Sequence, residues 1–332
     1  MTGETPSARL VGWIVRGALA IISLTGGAVV SAAAPRCELA SGRQVIEIGT
    51  MGTMRPVLLY MPRAPRSSKA LPLILNLHGS GSNGAQQLDR SGLTELADRR
   101  QVIVASPDGG LTLPSGGLAW NIPGVPTTAG TLPPPDAPDD VAHVAALIDA
   151  LVANGCADAD RIYATGLSGG GRMVSLLGCV LSDRLAAIAP VVGLRAGAPD
   201  RSTPGRPDAA TCRPARPMPV VAFSGSADAT NPIDGGGAKY WQYGLLAAER
   251  RWADIDGCRG VKVSESRRTG RTKRRYLGCG SGSEVVSYVL KGGVHEWAVA
   301  DTRLMWRFFS RTRASARRSP EQEGAAVHIN RT

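Results

Sequence analysis

The sequence predicts an α/β domain built on a mostly parallel central sheet with helices on both faces. Three observations predict it. Short, nearly continuous apolar runs recur along the chain, the pattern of strands buried on both faces. Longer stretches with apolar residues three and four apart lie between them. A glycine-flanked serine sits where one such strand gives way to a helix. The 332 residues suit one large domain of this class or two small ones.

The chain opens with Arg9 and Arg16, then an apolar run over 18–30 and the small residues 31–34. That order reads as a secretory signal over 1–34, cleaved near Ala33 or Ala34. The other reading is an uncleaved anchor helix over 11–30, which Arg16 and several glycines weaken. Residues 45–48 and 56–60 form an opening hairpin. Residues 71–77 (LPLILNL) and 101–105 (QVIVA) are buried strands, with helical spacing over 88–99 between them. Residues 141–153 are a helix, started by Asp139 and Asp140 where acids favour the helix dipole, and closed by Gly155. A strand over 161–165 leads through a glycine turn to a helix over 172–180. Further strands are 186–192, 219–223 and 285–290; further helices are 239–255 and 301–309. Two Pro-rich stretches, 109–138 and 195–217, read as loops inside one domain, because core strands continue after both. The catalytic domain is expected over 35–311, with a disordered basic tail over 312–332.

The formal net charge is +11. Much of the excess sits at Arg267, Arg268, Arg271, Lys273, Arg274 and Arg275 and in the tail at Arg311, Arg313, Arg317, Arg318 and Arg331. A basic balance raises the question of a polyanion partner. No aromatic residues interleave the tail as a single-strand binder would need, so solvated surface is the preferred reading and no nucleic-acid partner is expected. Six cysteines without C-x-x-C spacing exclude a zinc ribbon or thioredoxin-type motif; an even count suits disulfides in an exported chain.

The central motif is Gly166-Leu167-Ser168-Gly169-Gly170. A strand before it and a helix after it make it a nucleophile elbow, the signature turn of the α/β-hydrolase fold. The turn leaves no room for side chains at the flanking positions. It lifts the hydroxyl above the strand edge and aims backbone N–H groups at the oxyanion that forms. A serine needs a base, and the chain has four histidines. His328 is in the tail, His143 is inside a helix ahead of the serine, and His78 immediately follows a buried strand. His295 is late and sits on a glycine-containing loop after a strand. The order Ser, acid, His in this fold therefore selects it. The acid must lie between, after a strand. Asp228 in Ser224-Gly225-Ser226-Ala227-Asp228 is the first candidate and Asp234 its competitor. Such an acid fixes the imidazole tautomer and stabilises the imidazolium. The oxyanion donors are expected to be the amides of Gly169 and Ser80, each worth about 3 kcal/mol in the transition state.

Gly79-Ser80-Gly81-Ser82-Asn83-Gly84, with Asp108 after the next strand, also spells a dinucleotide fingerprint. It falls on the third strand rather than the first and follows a histidine, and nicotinamide chemistry is not expected of an exported chain. No P-loop or H-E-x-x-H occurs.

Taken together, LHGSGSN, SPDG, DDVAHVAALIDALV, RIYATGLSGGGRM, AAIAPVVG, the GSAD block and GGVHEW resemble the secreted esterases that include polyhydroxybutyrate depolymerases and feruloyl esterases. The resemblance spans roughly residues 45–310. It implies an α/β-hydrolase acting on small-molecule or polymeric esters without metal or organic cofactor. Its triad falls on Ser168, Asp228 and His295, its oxyanion amide on Ser80, and its late disulfide on Cys258 with Cys279. The resemblance makes Trp120, Asn121 and Trp297 pocket candidates, with packing the other reading of Trp120. The family often has cysteine at position 80, a backbone role that tolerates serine. Its His-Thr-Trp-Pro-Gly is His295-Glu296-Trp297-Ala298-Val299 here, so the loop shape that selects substrate departs from the family. Cys179 with Cys212 and Cys37 with Cys156 is one of the pairings open to the other cysteines. A serine peptidase or acyltransferase would use the same triad, and a non-catalytic envelope binding protein would keep the fold without the chemistry. The location expected is secreted or cell envelope, with no membrane span after cleavage.

Overall fold

A computed structural model of the chain describes residues 36–63 and 69–314. The expected signal segment and positions 315–332 of the expected tail lie outside the described residues. Among the described residues, no helix is long and apolar enough to cross a membrane.

The chain opens with the hairpin β1 (Gly42–Thr50) and β2 (Thr53–Met61), then β3 (Leu71–Leu77), α1 (Gly84–Ser91), α2 (Leu93–Arg100) and β4 (Ile103–Pro107). A two-residue pair, β5 (Leu111–Thr112) and β6 (Leu118–Ala119), interrupts the long loop before α3 (Asp140–Ala153). There follow β7 (Ala157–Leu167), α4 (Gly169–Val180), β8 (Ala187–Val191), β9 (Val220–Gly225) and α5 (Leu245–Ile255). The chain then forms β10 (Gly260–Ser266), β11 (Arg271–Leu277), β12 (Val285–Leu290) and α6 (Thr302–Phe309). Among the described residues, ten strands make one sheet in the order β1-β2-β4-β3-β7-β8-β9-β12-β11-β10. The run from β4 to β12 is parallel, and the strands beyond each end are antiparallel.

Strand periodicity sorts the apolar residues between two cores. In β3, Leu73, Leu75 and Leu77 face one core and Ile74 the other; in β9, Val220 and Ala222 oppose Val221 and Phe223. The first core is closed by Val144, Leu147 and Leu151 of α3, Met173 and Leu177 of α4, and Trp252 of α5. The second is closed by Leu88 of α1, Leu96 of α2, and Met305, Phe308 and Phe309 of α6. Each leucine withdrawn wholly from water stabilises by about 2 kcal/mol.

The structure departs from the sequence expectations in places that have physical causes. The helical stretch over 88–99 is two helices, because Gly92 takes a left-handed φ of 65° between them. The expected helix over 239–255 begins only at Leu245. Gly244 lies so close to the Asp234 carbonyl carbon that a Cβ there would come within 2.5 Å, and the residues before it turn Trp241 and Tyr243 into the interior. The basic stretch 267–275, read as solvated surface, has its latter part in a strand, β11, paired to β10 and β12. Packing also continues past 311. Tyr163 Oη donates to the Thr312 carbonyl at 3.0 Å, Ala314 N–H donates to Asp160 O at 2.9 Å, and Ala314 is buried.

Three disulfides link Cys37 to Cys156, Cys179 to Cys212 and Cys258 to Cys279. The first ties the start of the described chain to the entry of β7. The second ties the 195–217 insertion to α4.

Candidate active site

Ser168 stands between β7 and α4 with φ 54° and ψ −110°, a conformation that costs on the order of 1–3 kcal/mol and persists only where its surroundings impose it. Here they do. Ser168 N–H donates to Val191 O at 2.9 Å, and its carbonyl accepts Arg172 N–H at 2.9 Å. A Cβ on Gly170 would come within 2.3 Å of Leu77 O, and one on Gly166 within 2.7 Å of the Gly170 backbone. The elbow therefore closes only with glycine at both positions.

The acid and the imidazole arrive from neighbouring parallel strands. Ser226-Ala227-Asp228 follows β9 and the His295 loop follows β12. The two loops meet backbone to backbone at Gly225 and Gly293, where a Cβ on Gly225 would lie 2.2 Å from Gly293 O. Ala227 N–H donates to Gly293 O at 2.9 Å, and Gly292 N–H to Ser226 Oγ at 2.8 Å. This contact brings His295 Nδ1 to 2.8 Å from Asp228 Oδ2. The Asp228 side chain is 1% exposed and that of His295 21%. Asp228 Oδ1 accepts the amides of Thr230 and Asn231 at 2.9 and 2.8 Å, so the carboxylate is held from its far side. With the carboxylate accepting from Nδ1–H, Nε2 is left as the proton acceptor. Asp234 is exposed and makes no such contact. Among the described residues Ser168 Oγ has no hydrogen-bond partner. In ligand-free sites such bonds are often long and tighten on substrate binding.

The loop after β3 runs over the elbow. A Cβ on Gly79 would lie 3.6 Å from Ser168 Cβ, and one on Gly169 would lie 3.0 Å from the Ser80 amide nitrogen. The structure thus brings the Ser80 and Gly169 amides side by side, and among the described residues neither donates to a protein acceptor. His78 holds this loop from beneath. Burial lowers its pKa, so the ring is neutral. Nε2 accepts Gly109 N–H at 2.9 Å, which leaves Nδ1–H to donate to Gly79 O at 2.8 Å.

The pocket candidates divide. Trp120 is 4% exposed, its ring lies tilted against that of His78 with centroids 4.8 Å apart, and its indole N–H donates to His78 O at 2.8 Å. It braces the oxyanion loop, as the packing reading of Trp120 expects. Asn121 is likewise committed to the loop. Its amide donates to Asp140 Oδ2 at 2.7 Å and its side chain to Pro138 O at 3.0 Å. Trp297 shares a shallow hollow with His295, Leu167 and Arg90, with its indole N–H on Ser91 O at 3.0 Å. The dinucleotide reading of the Gly79–Gly84 loop meets an obstacle: the start of α1 is already capped by Asp108 on Gly84 N–H at 2.6 Å and Asn83 on Gln86 N–H at 2.9 Å. Among the described residues no cluster of His, Cys, Asp or Glu is arranged to hold a metal ion.

Two residues of the site escaped sequence reasoning. Arg172 lies one helical turn after Ser168, buried, with Nη2 donating to Ser80 Oγ at 3.3 Å. Arg195 follows β8, buried, with Nη1 donating to Tyr243 O at 2.6 Å. Both line a cavity of about 640 Å³. An arginine in the otherwise apolar α4 sequence GGGRMVSLLGCV was the available signal for the first.

The elbow on a parallel sheet, with an imidazole–carboxylate pair at the same edge, defines an α/β-hydrolase. No protein-family model matches the chain. It is 30% identical over 260 residues to feruloyl esterase B of Piromyces equi, across 76% of this chain and 44% of that protein, less than half its length. It is also 30% identical over 275 residues to the putative esterase NocK of Nocardia uniformis subsp. tsuyamanensis, across 77% of this chain and 74% of that one. Among solved structures, an acetyl xylan esterase from Aspergillus awamori matches with TM-score 0.53 and 14% identity, over 77% of this chain and 93% of that chain. An S-formylglutathione hydrolase from Agrobacterium tumefaciens matches at 0.52 and 13%, over 82% and 97%; at such identities the likeness carries the fold. The chain belongs to the esterase family of α/β-hydrolases that includes NocK.

Proposed function

We propose that this chain is an exported carboxylic-ester hydrolase that works through an acyl-enzyme on Ser168. His295 Nε2 takes the Ser168 proton as Oγ attacks the ester carbonyl. The tetrahedral oxyanion is held by the Ser80 and Gly169 amides. The protonated His295 gives its proton to the leaving alkoxide, and an alcohol departs. Water, deprotonated by His295, then attacks the acyl-enzyme and returns the acid and free Ser168. Asp228 keeps Nε2 free to act as the base throughout. The reading rests above all on the buried Asp228 carboxylate at 2.8 Å from His295 Nδ1, beside a strained serine at a strand–helix turn. The naming of both 30%-identical relatives as esterases supports the reaction class. The three disulfides support export, because such bonds persist in oxidising compartments.

The test is fluorophosphonate labelling of the protein beside Ser168→Ala, with 4-nitrophenyl acetate and a peptide anilide as substrates. Labelling and ester hydrolysis by the parent protein, both absent in the variant, are expected. An unlabelled parent protein would leave a fold without the chemistry, and anilide cleavage as fast as ester cleavage would make the chain a peptidase.

A further inference from the structure

One helical turn from Ser168, Arg172 reaches a cavity in which two buried guanidinium groups carry donors with no acceptor among the described residues. Its walls are apolar, with Ile122, Val125, Leu132 and Leu176 among them. Arg172 and Arg195 also line it, 5% and 8% exposed. Arg172 lies over the Tyr240 ring at 4.1 Å, and Arg195 lies between Trp241 at 3.3 Å and Tyr243 at 4.2 Å. These stacks fix each guanidinium plane but satisfy no N–H. Among the described residues, Arg172 Nε and Nη1 and Arg195 Nη2 are buried without a hydrogen-bond partner. Asp200 and Asp208 also line the cavity, yet their carboxylates accept turn amides, Asp200 from Ser202 and Thr203 and Asp208 from Ala210. Burial lowers Arg172 to about 10, and burial together with the charge of Arg172 lowers Arg195 to about 9, so both stay protonated at neutral pH.

Two desolvated cations with orphaned donors destabilise the empty protein. A bound anion would remove that cost, and a planar guanidinium matches a carboxylate well. Arg172 joins this cavity to the chemistry, because its Nη2 is on Ser80 and its amide is on the Ser168 carbonyl. Building on the ester-hydrolase reading, we propose that the substrate is an ester carrying a free carboxylate, which Arg172 and Arg195 bind in this cavity while its ester bond lies over Ser168.

The experiment compares kcat/KM for matched pairs at low ionic strength. One pair puts the carboxylate on the acyl side (monomethyl adipate against methyl hexanoate), the other on the alcohol side (4-acetoxybenzoate against 4-tolyl acetate). In at least one pair the carboxylate ester is expected to be preferred by about tenfold or more, the factor one charge-assisted hydrogen bond supplies. In Arg195→Met the ratio within that pair is expected to fall to near one, and in Arg195→Lys to an intermediate value. Using the ratio cancels any general loss of activity. Turnover of the neutral esters without a carboxylate preference in either pair overturns the proposal, and needs no variant to fold. If neither neutral ester turns over and Ser168 does not label, it is the hydrolase reading that fails. Calorimetric titration of the parent protein with adipate and 4-hydroxybenzoate then decides the anion site alone. Saturable binding that weakens in Arg195→Met supports the site, and no binding overturns it.

Discussion

At Asp228 the two carboxylate oxygens have separate tasks: Oδ1 accepts two backbone amides and Oδ2 faces His295. Asp228→Asn can keep the first task through its amide oxygen, but must then present an NH₂ group to Nδ1. The ring would answer with the other tautomer, and Nε2 would carry the proton where a base is needed. A fall in kcat of about 10⁴-fold with little change in thermal midpoint is expected, read by ester hydrolysis beside a melting curve. A loss under about tenfold would show that the acid is elsewhere. This pair was legible in the sequence because each member follows a strand in a fixed chain order. Arg172 and Arg195 were not legible as a pair. Their meaning lies in donors without an acceptor among the described residues, and only a folded chain shows which donors go unanswered. For Trp120 the sequence left pocket and packing both open, since its partner His78 is distant in sequence and the bond to it is invisible in composition.

The elements repeat this division. Strands buried on both faces, such as β3 and β9, announce themselves as apolar runs. The edge hairpin of β10 and β11 does not. Every residue of β10 is exposed, Val261 and Val263 by about half, and β11 is largely arginine and lysine. An edge strand needs charge to deter pairing with another chain, so its composition imitates solvated surface. What anchors this hairpin is the Cys258–Cys279 disulfide, which closes a loop of 21 residues at its base. Replacing both cysteines by alanine is expected to lower stability by about 3 kcal/mol in urea unfolding. The hairpin amides should then exchange faster with solvent, while β12 is held by β9 on its other side and keeps the His295 loop in place. An unchanged urea midpoint would mean that the pairing of β11 with β12 holds the hairpin unaided.

Across the whole molecule, two buried groups on opposite flanks pull the pH dependence of stability in opposite directions. His143 of α3 faces β1, with Nδ1 3.4 Å from Thr50 Oγ1 and Nε2 without a partner among the described residues; burial, then the charge of Arg55, lowers it to about 4. Its unfolded value is near 6.5, so between pH 6.5 and 4 the unfolded chain binds the proton more tightly, and stability is lost as pH falls through this window. Asp256, at the end of α5, accepts Met218 N–H at 2.9 Å and Ser283 Oγ–H at 2.5 Å; burial outweighs these bonds and the Arg216 charge and raises it to about 6. Its unfolded value is near 3.8, so the folded chain binds that proton more tightly, and stability is lost as pH rises from about 4 to 6. Each effect is on the order of 3 kcal/mol, and between pH 4 and 6 they largely cancel. Single variants should therefore uncover opposite slopes. Relative to the parent protein, His143→Leu is expected to lose stability as pH rises from 4 to 6 and Asp256→Asn to gain it, both read by urea unfolding at each pH. The difference from the parent is the informative quantity, because it removes every other titrating group common to both proteins. Parallel curves for either variant and the parent would mean that the substituted group is hydrated in the folded state. The burial assigned to that flank of the sheet would then be wrong.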